Sequence, residues 1–215
     1  MRPVTVTVGP LATASANNIC LSQSPTAAFT LNGALVTSGV ATLDTPRRVL
    51  FTAAANESAK TITIVGTDWN YAPQTEVITG PNATTGYTNM DFRTVTSITI
   101  SAASAGAITV GTNTIASSMW VCLDSYALGQ VAIQCTATGT VNYTVQQTLQ
   151  DPNNPAVGLA PYQVVWINTS DSSAVGATAS IQTNYGYAPL FARVTLNSGT
   201  GSVSAVFSQL GSSTH

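Results

Sequence analysis

Apolar and hydroxyl-bearing positions alternate through most of this chain. In Lys60-Thr61-Ile62-Thr63-Ile64-Val65-Gly66, Ile62 and Ile64 fall on one face and Thr61 and Thr63 on the other, the period of two that marks a half-buried strand. The same reading predicts strands over residues 48–52, 74–78, 94–100, 107–110, 120–123, 131–135, 141–149, 164–167, 192–196 and 203–207. Val4-Thr5-Val6-Thr7-Val8, at the start, also reads as a strand. Between these runs lie clusters of Gly, Asn, Pro and Ser, which turn a chain rather than coil it into helix.

Two turns bracket predicted hairpins. Thr67-Asp68-Trp69-Asn70-Tyr71-Ala72-Pro73 separates 60–66 from 74–78, and an Ala/Ser/Gly bend at 101–106 separates 96–100 from 107–110. The second has an echo near the other end. Residues 92–110 and 190–206 share an apolar-Thr-apolar strand, a Ser/Gly bend and a second alternating strand, so each closes one half of the chain. The boundary is placed within 111–118, and Pro152, Pro155 and Pro161 keep a central strand out of the loop 150–161. The expected fold is therefore all-β, with two small antiparallel β-sandwich or barrel-like domains and an extended N-terminal segment. Residues 1–27 form the segment, 28–112 the first domain and 113–215 the second. The stretch 4–24 is read in two ways, as an arm that adds a strand to a neighbour's sheet edge or as the first strand of its own domain.

Composition agrees with this pattern. Among 215 residues there are 34 Thr and 21 Ser, one lysine (Lys60) and two glutamates (Glu57, Glu76), so a surface helix would lack its usual polar face. At 44% hydrophobic and 7% charged, with a net charge of -2, the chain can bury a sizeable core and does not have a disordered composition. No apolar run approaches the ~20 residues of a membrane span, and the start has no continuous apolar region of signal-peptide type. Cys20, Cys122 and Cys135 are odd in number and fit no zinc spacing. All three are expected to be buried free thiols.

Little acid/base chemistry can be assembled from such a chain. Its one histidine is His215, at the end, so a Ser-His-Asp or Cys-His arrangement is not expected. A carboxylate pair for glycoside hydrolysis would have to come from Asp44, Glu57, Asp68, Glu76, Asp91, Asp124, Asp151 and Asp171. Most of these sit at turns or strand ends, where Asp bonds its own backbone. Asp68-Trp69-Asn70 and Asp151-Pro152-Asn153-Asn154 hold enough oxygen for Ca²⁺, but an Asx turn is the simpler role for both. Asn56, Asn82, Asn142 and Asn168 head Asn-x-Ser/Thr triplets that follow from the Thr and Ser content. No catalytic, cofactor or metal residue is assigned, and the chain is not expected to be an enzyme.

Six basic residues against eight acidic ones give no footprint for nucleic acid. Arg47-Arg48, the one basic pair, is read as capping a sheet edge or pairing with a neighbouring subunit. Of the aromatics Trp69, Tyr71, Tyr87, Trp120, Tyr126, Trp166, Tyr185 and Tyr187, Trp120 and Trp166 lie in apolar strands and are expected in the core. Trp69 and Tyr71 occupy a turn and are the candidates for a contact surface.

Several strand-and-turn runs resemble small β-rich virion structural proteins of tailed bacteriophages, of the capsid decoration or cement kind. They are Leu31-Asn32-Gly33-Ala34, Gly39-Val40-Ala41-Thr42-Leu43-Asp44-Thr45-Pro46-Arg47-Arg48-Val49, Ile64-Val65-Gly66-Thr67-Asp68 and Thr75-Glu76-Val77-Ile78-Thr79-Gly80-Pro81-Asn82. In the second half they are Gly139-Thr140-Val141-Asn142-Tyr143-Thr144-Val145-Gln146, Asp151-Pro152 and Arg193-Val194-Thr195-Leu196-Asn197-Ser198-Gly199-Thr200-Gly201-Ser202-Val203. The resemblance implies a particle component and carries over no functional residue. On it, the expected partners are the major capsid protein and copies of the chain itself, as a homo-oligomer and by analogy a trimer, with no nucleic acid and no membrane. The protein would be made in the host bacterial cytoplasm and end on the capsid surface of the virion. The alternative is a tail, fibre or head-surface protein that binds host glycans through exposed aromatics.

Overall fold

A computed structural model describes residues 3–124, 130–154 and 156–209. In chain order the strands are β1 (Val4–Val8), β2 (Ser15–Gln23), β3 (Val36–Thr37), β4 (Val40–Arg47), β5 (Val49–Ala53), β6 (Thr61–Thr67), β7 (Pro73–Thr79), β8 (Thr85–Tyr87) and β9 (Phe92–Ile100). They continue with β10 (Ile108–Thr112), β11 (Ala116–Ser117), β12 (Val121–Cys122), β13 (Val131–Thr138), β14 (Val141–Thr148), β15 (Ile167–Asn168), β16 (Ile181–Tyr185), β17 (Phe191–Gly199) and β18 (Ser202–Gln209). The described helix is confined to single 3₁₀ turns at Pro161–Gln163 and Ser172–Ala174. The protein is all-β and antiparallel, and it divides into two compact units, residues 12–114 and residues 1–11 with 115–215.

In the unit 12–114, one sheet has the order β2-β10-β5-β8 and the other β3-β4-β9-β6-β7. Alternation sends Ile62 and Ile64 of β6 and Val95, Ile98 and Ile100 of β9 inward from the second sheet. They meet Ile19 and Cys20 of β2, Val49 and Phe51 of β5 and Ile108 and Val110 of β10 in one core. Gly66 and Gly111 sit where the ladders shift register. A Cβ on either would lie 1.9 Å from a carbonyl oxygen, of Thr94 and Ser15 respectively, so only glycine admits these bulged approaches.

The other unit repeats the plan. Its sheets have the orders β1-β18-β13-β16 and β11-β17-β14-β15, with β12 also on β17, around a core that includes Val6, Val8, Ile133, Tyr143, Val194 and Phe207. Strand for strand, β1, β13, β16 and β18 take the places of β2, β5, β8 and β10, while β14, β15 and β17 take those of β6, β7 and β9. β11 and β12 together stand for β4, whose own ladder with β9 is broken between Thr42 and Arg47. Eight antiparallel strands with the first beside the last, shared between two sheets in this way, make a jelly roll. The chain holds two, one inserted between the first and second strands of the other.

Several expectations are corrected by these ladders. Residues 1–27 are not a separate segment, because Val4–Val8 pairs with β18 and Ser15–Gln23 with β10. The domains 28–112 and 113–215 accordingly become 12–114 and a discontinuous second unit. The 60–66/74–78 hairpin is present as β6–β7, with seven residue pairs. The 101–106 bend makes no hairpin, since β9 is already flanked by β4 and β6 and β10 joins the opposite sheet. β17 and β18 part in the same way, so the echo marks equivalent crossovers. Of the strands expected at 120–123 and 164–167, only Val121–Cys122 and Ile167–Asn168 pair.

Candidate functional site

Along β17, Ala192, Val194 and Leu196 enter the core, so Phe191, Arg193 and Thr195 face outward. Arg193 and Thr195 are nonetheless only 4% and 3% exposed, because the segments around Trp120 and Trp166 cover that face. The two indoles meet edge to face at 5.0 Å, Trp120 lies 5.7 Å from Phe191, and the Arg193 guanidinium sits 4.2 Å from the Trp166 ring centre. Arg193 Nε and Thr195 Oγ1 both donate to Gln146 Oε1, at 2.9 and 3.0 Å, and Gln146 Nε2 donates to Asn168 Oδ1 at 3.1 Å. This network pins the short edge strand β15 to β14 and β17. Trp120 and Trp166 are thus half-buried on the outside of a sheet and not in the core.

The covering segment itself is apolar and exposed. Leu149, Val157, Val165 and Ile167 are 59–69% accessible, and no charged residue lies between Asp151 and Asp171. Among the described residues, eleven large apolar side chains are exposed; seven belong to the discontinuous unit and five of those fall in 149–175. The exposed apolar side chains of this unit are thus gathered in one stretch of the sequence.

A second surface is the tip of the β6–β7 hairpin. Asp68 Oδ1 accepts from the N–H groups of Asn70 (2.7 Å) and Ala72 (2.9 Å), so Asp68 takes the Asx role. Tyr71 is 60% exposed at φ +61°, a left-handed conformation that costs a side-chain-bearing residue about 1 kcal/mol and glycine almost nothing. Arg93 Nε donates to its hydroxyl at 3.2 Å, and the guanidinium lies 5.8 Å from the ring centre. Tyr71 is therefore held outward against local preference. Trp69 is half-buried.

The remaining candidates are spent on structure. Arg47, 1% exposed, pairs with Asp44, and Lys60 with Glu57; the Arg47 side chain is therefore used inside its own unit. Arg48 lies over Tyr87 at 5.5 Å from the ring centre. Glu57 also accepts from the N–H groups of Ala105 and Gly106, and these bonds and Lys60 outweigh its burial and hold its carboxyl below the usual range. Glu76 and Asp91 interact electrostatically, but at 0% and 8% exposure they face no substrate. Burial pushes Glu76 up to about 7, against the N–H groups of Asn89 and Met90 and the charge of Arg48, while the charge of Asp91 adds to the rise. Asp151 and Asp171 make Asx contacts to Asn153 and Ser173. Among the described residues, no three His, Cys, Asp or Glu side chains group as metal ligands. Cys20 and Cys135 are buried, with thiols pushed up to about 12 and about 11 by desolvation; Cys122 is exposed, contrary to expectation. Asn56 and Asn82 bridge each other, and the side chains of Asn142 and Asn168 are hydrogen-bonded. His215 and Tyr126 lie outside the described residues. No described helix is long and apolar enough to cross a membrane.

The Arg193–Trp166–Gln146 network was missed from sequence. Its one signal was an arginine alternating with Ala192 and Val194 in mid-strand. Compared with family models, curated proteins and solved structures, the chain matches none.

Proposed function

We propose that this chain is a structural protein of a bacteriophage virion, a decoration protein that binds the assembled major capsid protein together with copies of itself and stabilises the head. The observation that carries this reading is the set of exposed apolar side chains Leu149, Val157, Val165 and Ile167 around a stretch, 152–170, that carries no charge. Two further features support it. Jelly rolls serve in viral coats as well as in lectins and cupins, so the fold is compatible without being decisive, and the strand-and-turn runs resemble virion proteins of tailed phages. The mechanism is linkage: a ligand that binds the assembled shell and not free subunits stabilises the shell, by ~2.7 kcal/mol per site at a hundredfold excess over its dissociation constant. Co-sedimentation of the purified chain with assembled shells tests the reading. Attachment is expected for the wild type and loss of attachment for Val165→Asp/Ile167→Asp.

A second reading rests on Tyr71, whose strained outward display suits stacking on a sugar ring. Under it the protein binds host glycans from the tail or head surface. Glycan binding that is lost in Tyr71→Ala, with no attachment to shells, would replace the first reading.

A further inference from the structure

The chain has ten glutamines, and eight of them have a side-chain hydrogen bond to another described residue. The side chains of Gln134 and Gln182 have none among the described residues, and the ladder sets these two directly opposite each other on β13 and β16. Val131, Ile133 and Cys135 are core, so alternation turns Ala132 and Gln134 to the outer face. Asn184 lies beside Ala132 on one side, and on the other β18 sets Ser208 beside Ala132 and Val206 beside Gln134. Ala132 and Ser208 are short, the amides around them are long, and the difference leaves a cleft of about 530 Å³, within the ~300–1,000 Å³ of small-molecule sites. Asp171, hydrogen-bonded to Ser173 and Thr183, joins the lining. This cleft does not follow from the jelly roll itself. The equivalent sheet of the unit 12–114 sets Leu50 opposite Tyr87 and Thr52 opposite Thr85 on the corresponding strands.

We propose that this cleft binds a short neutral oligosaccharide, a function separate from shell attachment and from the Tyr71 surface. A primary amide presents a donor and an acceptor side by side, and two neighbouring sugar hydroxyls present the complement. Gln134 and Gln182, without internal partners, supply two such faces. Asn184 gives one N–H to Gln130 at 3.4 Å and keeps its carbonyl oxygen. The Ser208 hydroxyl and the Asp171 carboxylate add acceptors, and Val206 offers an apolar contact to the C–H face of a ring. Charge sets the class of sugar. No Lys or Arg is in the described lining and Asp171 is its one charged residue, so a phosphate, sulfate or uronate would be repelled with nothing to compensate it. A peptide strand is the poorer occupant, because it would draw its hydrogen bonds from the backbone of edge strand β16 and leave these amides unused. With no aromatic ring in the described lining, the affinity is expected in the millimolar range.

NMR of the isotope-labelled full chain tests this, with neutral trisaccharides of glucose, mannose, xylose and N-acetylglucosamine as probes. Trigalacturonate and an uncharged Thr-Val-Thr-Val-Thr peptide are the controls. The expected result is saturable shifts of the Gln134 and Gln182 side-chain amides with at least one neutral trisaccharide and none with trigalacturonate. Gln134→Ala/Gln182→Ala, at exposed positions, is expected to weaken that binding about tenfold without lowering the urea midpoint, and Tyr71→Ala to leave it unchanged. Four results would each overturn the site: no saturable shift with any neutral probe, binding that the double variant retains, tighter binding of either control at the cleft, or shifts confined to the Tyr71 tip. Failure of the chain to attach to shells would overturn the decoration reading and leave this site standing.

Discussion

Arg47 and Asp44 together clasp the two ends of the inserted roll. Arg47 Nη1 donates to the carbonyl oxygens of Ala12 (2.8 Å) and Asn113 (3.1 Å), while Asp44 pairs with Nη2 and accepts from Ala12 N–H at 2.8 Å. Ala12 is where the chain comes into this unit, and Asn113 lies just before it leaves. Burial depresses the guanidinium's basicity and the Asp44 carboxylate opposes that effect. Arg47 is buried while Asp44 is partly exposed, so Arg47→Ala removes the donor that the Ala12 and Asn113 carbonyls share and is expected to cost about 2 kcal/mol in urea unfolding. Arg47→Lys should recover only part of this, since an ammonium lacks the planar fork that reaches both carbonyls.

Glu76 makes stability depend on pH. Its folded value of about 7 lies above the ordinary 4.5, so the fold favours its neutral form. Its contribution is full below pH 4.5 and is lost as pH rises through 7, at ~1.4 kcal/mol per pH unit within that window. Glu76→Gln cannot titrate. The difference in unfolding free energy, wild type minus Glu76→Gln, is expected to fall by about 3 kcal/mol between pH 4.5 and 7. A flat difference would show that the backbone donors of Asn89 and Met90 keep the carboxylate ionised throughout.

Side chains of the β15 edge should separate stability from attachment. Trp166→Ala removes the contacts with Trp120 and Arg193 and is expected to cost about 2 kcal/mol in thermal or urea unfolding. Ile167→Asp, at a position 62% exposed, should change stability by less than about 0.5 kcal/mol while abolishing co-sedimentation with shells.

The strands were legible where burial is one-sided. Residues 60–66, 131–135 and 203–207 alternate cleanly because one face meets the core and the other meets solvent. Ser15–Gln23 is legible only as part of the stretch 4–24 and not as a strand of its own, because its ladder with β10 shifts register twice, which breaks the period. Ile181–Tyr185 is too polar to stand out. The insertion was hidden for a different reason: Val-Thr-Val-Thr-Val suits any open sheet edge, and nothing local says that Val6 will lie opposite Ala205. Trp120 and Trp166 were misplaced because an apolar run does not reveal which side of a sheet it covers. The hairpin tip at Trp69 and Tyr71 was legible from turn residues alone, and the strain at Tyr71 was not.

Attachment through apolar burial should resist salt. Charge pairs at a surface are screened over ~8 Å at physiological ionic strength, whereas this contribution is hardly affected. Particles washed in graded NaCl are expected to retain the protein, and graded urea to release it. Release by moderate salt would assign attachment to the half-exposed Arg48 and Arg93, since Arg47 and Arg193 are buried.

The most direct test is to find the chain in the particle. Cryo-EM of virions, with the jelly-roll pair fitted to the density, is expected to show it on the outer surface of the head, in numbers comparable to the major capsid protein and with Leu149, Val157, Val165 and Ile167 against the shell. Density for it only at the tail or connector, or its absence from purified virions, would contradict the account.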